Sequence, residues 1–132
     1  EGIPELSIYA TESYFNNATR LRRFTVRMDG FVSLRADSQG GEMHTRPITF
    51  SGKCLEMNFS TSAAGSIQVE IQDASGKPIP GFALIDCPEI YGDRIRQVVG
   101  WKQGSDVSQL AGKPIRLRFV MKDADLYAIQ FP

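Results

Sequence analysis

Between Ile85 and Trp101 the chain reads IDCPEIYGDRIRQVVGW, with three acids, two arginines, a cysteine, a tyrosine and the molecule's only tryptophan in seventeen residues. Two chemistries fit such a set. Glycoside hydrolysis needs two carboxylates roughly 5 to 9.5 Å apart across a cleft, and Glu70, Asp86, Glu89 and Asp93 are available for it. Non-catalytic sugar binding asks for less: an aromatic ring against the apolar C–H face of a sugar, and planar hydrogen-bonding groups beside it. Tyr91 and Trp101 supply rings, and Glu89, Asp93, Arg94 and Arg96 supply donors and acceptors. So short a chain leaves little room for a deep cleft, so these six are read as ligand-binding residues and none as catalytic. The competing place for Trp101 is the hydrophobic core, with Tyr91 folded under the loop.

Other chemistries find less support. His44 is the sole histidine, no serine sits in a G-x-S-x-G elbow, and neither Cys54 nor Cys87 has a protease-like context. The two cysteines lack C-x-x-C pairing, which argues against structural zinc, and they are expected as thiols rather than a bridge. Asp73, Asp86, Glu89, Asp93, Asp123 and Asp125 all fall in predicted turns or loops and keep a structural calcium open, although turn aspartates commonly cap their own backbone. No other cofactor is expected.

Fifteen basic residues balance fifteen acidic ones, so no overall field would hold a polyanion, and nucleic acid is not an expected partner. No apolar run reaches the roughly 20 residues of a membrane-spanning helix. Arginine outnumbers lysine ten to five. Arg23, Arg27, Arg116 and Arg118 alternate with apolar residues, so they could gather into a patch for acidic glycans or pair across strands with Glu56 and Glu70; pairing is the favoured reading.

These residues must be positioned by strands. Period-two alternation recurs throughout and a helical period almost nowhere, which predicts an all-β domain. Phe24, Val26 and Met28 alternate with Arg23, Thr25 and Arg27, after which Asp29-Gly30 predicts a tight hairpin into Phe31–Arg35. Further strands are predicted in LSIY, MHTRPITF, KCLEMNFS, GSIQVEIQ, IPGFALI, RIRQVVGW, PIRLRFVMK and LYAIQF, nine or ten in all, with one helical turn at SDVSQLAGKP. The fold class is an antiparallel two-sheet β-sandwich, jelly-roll-like, with residues 1–132 forming one domain. The chain opens on Glu1 rather than methionine, so a piece processed or cut from a longer protein is expected.

Taken together, TRLRRFTVRMDGFVSLRA, FSGKCLEMNFSTSAAGSIQVEIQDASGKPIPGF, DCPEIYGD and GWKQGSDVSQLAGKPIRLRFVMKDADLYAIQF resemble the C-terminal β-sandwich region of large secreted proteins related to glycoside hydrolases from environmental bacteria. Such proteins often carry an N-terminal propeller similar to the fructosidase and arabinanase type. The resemblance covers most of the chain. It implies an exported, non-catalytic module that grips polysaccharide or oligosaccharide, or that buttresses a parent catalytic domain. Its landmarks are Arg27 to Phe31, Trp101 to Asp106 and Lys122 to Tyr127, and within the last of these Asp123 and Asp125 read as turn-makers for a final hairpin. Cys54 stands where such a module would carry an aliphatic residue.

Overall fold

The structure is a computed structural model that describes residues 4–132. Among these, seven strands form two antiparallel sheets. β1 (Glu5–Glu12) and β2 (Arg20–Arg27) pair only with each other. β3 (Leu34–Ala36), β4 (Gly41–His44), β5 (Glu56–Asp73), β6 (Asp93–Val98) and β7 (Ile115–Gln130) make a second sheet in the order β3-β7-β5-β6, with β4 also on β7. The protein is therefore all-β, of the antiparallel two-sheet class that the alternation predicts. The jelly roll is defined by eight strands in two Greek keys, and the seven strands described here do not supply that count.

The long strands β5 and β7 carry the core. Ile67, Val69 and Ile71 stand opposite Met121, Phe119 and Leu117, and all six are buried; each such side chain contributes about 1.5–3 kcal/mol on leaving water. Irregular chain covers this face. Phe82 and Cys87 come from the connection before β6, and Val99, Trp101, Val107 and Leu110 from the one after it. The predicted helical turn appears as a single 3-10 turn at Ser108–Leu110, where the Asp106 carboxylate accepts from the Ser108 N–H at 2.8 Å and Gly112 follows with φ +74°.

Three sequence expectations are corrected. Asp29 does adopt positive φ (53°), but the turn there redirects the chain, and the partner of β2 is β1, reached through residues 13–19. KCLEMNFS and GSIQVEIQ are one strand, β5, and the last two predicted strands are also one, β7. The register shifts between Thr61 and Ser66, beside Asp123 with φ 43°, so this stretch bulges instead of turning and Asp123 and Asp125 close no hairpin. Gly65 belongs at that bulge, because a Cβ there would lie 2.3 Å from the Asp123 carbonyl oxygen. IPGFALI forms no strand; its last two residues open a 3-10 turn at Leu84–Asp86. The cysteines are free thiols, Cys87 buried and Cys54 half-buried.

Candidate functional site

The opening stretch divides between surface and interior. Ile90 exchanges both backbone hydrogen bonds with Ile67 (2.8 and 2.9 Å), which leaves the neighbouring Tyr91 outward and 74% exposed. Glu89, Asp93, Arg94 and Arg96 are exposed as well, the last three on the edge strand β6. Trp101 is elsewhere. Only 4% exposed, it donates its indole N–H to the Val69 carbonyl (2.9 Å) and meets Phe82 edge-on at 5.2 Å. Its place on the sugar platform is thereby corrected: the ring fills the core because the chain past β6 folds back over β5. Tyr91 is the one aromatic of this stretch that faces solvent, and it stands with the surface residues rather than under the loop.

Arg27, at the end of β2, is the node that sequence reasoning missed. Its guanidinium donates to Asn58 Oδ1 (2.5 Å) and to the Phe59 carbonyl (3.0 Å), pairs with Asp93, and lies 4.8 Å from the Tyr127 ring centre. Asn58 in turn donates to the Met28 carbonyl (2.7 Å). The planar fork of arginine serves all three acceptors in a fixed geometry that lysine's tetrahedral ammonium does not reproduce. Arg27 thus fastens the hairpin to the main sheet. Beside it a cleft of about 130 Å³ is lined by Asp29, Glu56, Asn58, Arg96 and Gln130, among others. That volume is well under the roughly 300 Å³ of ordinary small-molecule pockets, and it suits one end of a polar chain more than a buried ligand.

The arginines do not form one patch. Arg23 pairs with Glu5, Arg118 with Glu42 and Glu70, and β2 and β7 lie in different sheets. The expected pairing with Glu70 is present at 3.5 Å, whereas Glu56 accepts instead from Gln130 (2.6 Å). The calcium candidates are also dispersed. Asp73 accepts from Ser75 and Lys77 of its own turn, Asp86 pairs with Lys102, and Asp125 accepts from Ser33. No group of three or more acid, histidine or cysteine side chains among the described residues is arranged to hold a metal.

Among the described residues Glu70 is the one buried carboxylate, 3% exposed on the face of the sheet opposite the core. Burial pushes its pKa up, but hydrogen bonds from Gln72 (2.7 Å) and the Leu84 N–H (3.0 Å), together with Arg118, outweigh it and hold the carboxyl below the ordinary glutamate value of 4.5. A carboxyl with a depressed folded pKa stabilises the protein above its unfolded pKa and loses that contribution as pH falls through the folded one. Glu70→Ala should cost about 2 kcal/mol at neutral pH, because the Leu84 N–H and part of Arg118 lose their partner. The deficit relative to wild type should shrink below pH 4.5; urea midpoints at pH 7 and pH 3.5 check both points.

Half of the exposed large apolar side chains among the described residues lie on the hairpin and its loop. Pairing Leu6 with Val26 and Ile8 with Phe24 places these four on one face, where Ile8 and Phe24 remain 44% and 42% exposed. Past the strands, Tyr14 and Phe15 stack edge-on in the loop, 71% and 97% exposed. A two-stranded hairpin is marginally stable by itself, and neither strand joins the main sheet. No family model, curated protein or solved structure matches the chain.

Proposed function

We propose that the chain is a non-catalytic accessory module of a secreted glycan-degrading protein, and that it works by docking through the β1–β2 hairpin onto a parent domain. The observation that carries this reading is the stripe of Leu6, Ile8, Phe24 and Val26, with Ile8 and Phe24 exposed and Leu6 and Val26 half-buried, on an element that Arg27 fixes to the body. A buttressing domain needs an apolar partner-facing surface; a sugar platform needs an exposed ring, and the tryptophan is enclosed. The parent and its export rest on the sequence resemblance. In the parent protein, Ile8→Asp with Phe24→Asp should free the module, seen as faster protease cleavage between it and its neighbour. Unchanged cleavage in a double variant that keeps its folded core would sink the reading.

Glycan recognition is the second reading, favoured by one group of residues. Tyr91 is exposed, and Arg96 borders the cleft with the polar side chains of Asp29, Glu56 and Asn58. An extended polysaccharide lying along β6 would stack on Tyr91 and place one sugar in the cleft, with Glu89, Asp93 and Arg94 as further hydrogen-bonding partners. Under this reading a glycan retained in affinity electrophoresis is released by Tyr91→Ala and by Arg96→Ala; equal retention by both variants refutes it.

A further inference from the structure

The hairpin's two free edges differ. Met28 N–H donates to the Pro4 carbonyl (3.3 Å), which makes Pro4 and Met28 a hydrogen-bonded pair, and such pairs alternate along an antiparallel ladder. The unbroken register then gives Leu6–Val26, Ile8–Phe24 and Ala10–Arg22 the internal bonds, so the backbone N–H and C=O groups of Ser7, Tyr9 and Thr11 point away from β2. Natural edge strands are protected against further pairing by charge, proline or a bulge. The edge of β2 has Arg20, Arg22 and Arg23 along it. Between Glu5 and Glu12, β1 has six uncharged residues with no proline, glycine or register shift.

We propose that the outer edge of β1 is a strand-addition site, completed by an antiparallel β-strand of the docking partner. This rests on the docking reading and specifies how the contact is made. Pairing at Ser7, Tyr9 and Thr11 brings alternate side chains of the added strand onto the same face as Leu6, Ile8 and Ala10, so one strand both satisfies the open backbone groups and extends the apolar stripe. The acids at the two ends of β1 are already paired by β2, with Arg20 and Arg22 on Glu12 (both 2.9 Å) and Arg23 on Glu5 (2.7 Å), so charge does not select the partner. The incoming strand is selected by its free backbone and by apolar residues in alternation, the pattern that β2 itself presents to β1.

The probe is a capped peptide with the β2 sequence, RLRRFTVR, titrated into the isotope-labelled chain, with a scrambled peptide of the same composition as control. Binding should slow amide exchange at Ser7, Tyr9 and Thr11 by about tenfold or more, leaving the internally bonded Leu6, Ile8 and Ala10 little changed. Tyr9→Pro removes one outward donor and none of the internal ones, as edge strands tolerate; with the β1–β2 cross-peaks intact it should weaken the peptide by about tenfold or more. Absence of binding, equal slowing by the scrambled peptide, or undiminished binding to Tyr9→Pro overturns the proposal. Binding that shifts the Ile8 and Phe24 side chains without slowing those three amides also overturns it, while leaving docking through the apolar face intact.

Discussion

Replacing Trp101 with alanine should remove about 4 kcal/mol of folding free energy, at the upper end of what a large-to-small core substitution costs. The indole is 4% exposed and packs edge-on against Phe82, so truncation leaves a cavity under irregular chain that can relax only in part. Trp101→Phe separates the contributions. It keeps an aromatic ring near Phe82 but leaves the buried Val69 carbonyl without its indole donor, at about 1–2 kcal/mol. Emission from wild-type Trp101 should be blue-shifted and resist acrylamide, and no glycan should alter it by direct contact. A red-shifted, quenchable tryptophan, or an alanine variant within about 1 kcal/mol of wild type, would contradict the placement.

Arg27→Ala should weaken the attachment of the hairpin by about 3 kcal/mol. The side chain is 14% exposed. Most of the cost comes from Asn58 and the Phe59 carbonyl, both left without their charged donor. Asp93 is half exposed and adds little once solvent screens it. The effect should be local. Amides of β1 and β2 should exchange about a hundredfold faster, while those of Ile67 and Phe119 in the main sheet keep their wild-type rates. Arg27→Lys should fall between the two, since an ammonium retains the charge without the fork. Uniform loss of protection through both sheets would show that Arg27 holds the core together and not the hairpin.

What could be read in the sequence, and what could not, follows from the range of each signal. Alternation is local, so the β class and most strand positions were legible, as was the short helical turn in SDVSQLAGKP. Positive φ at Asp29 was legible too, but it requires only a turn, and the choice of β1 as partner for β2 depends on pairing that no two-residue signal encodes. Gly65 and Asp123 look like breaks because glycine and aspartate usually punctuate strands; inside a long sheet the same residues make a bulge. Arg27 was legible only as one arginine of an alternating strand, since its partners Asn58 and Asp93 lie 31 and 66 residues away. The tryptophan shows the same limit. Its residue type fits both a platform and a core, and only the return of the chain over Val69 decides between them. Apolar alternation in β1 and β2 likewise states that a face is to be covered, without stating by what.

The most direct test of the docking proposal is amide exchange across β1 and β2, measured in the isolated chain and again in the parent protein that the proposal assigns to it. The account expects the hairpin to be the fastest-exchanging pair of strands in isolation and to slow in the parent to the rates of β5 and β7. Equally fast exchange in both settings would mean that nothing covers the hairpin, and would contradict it.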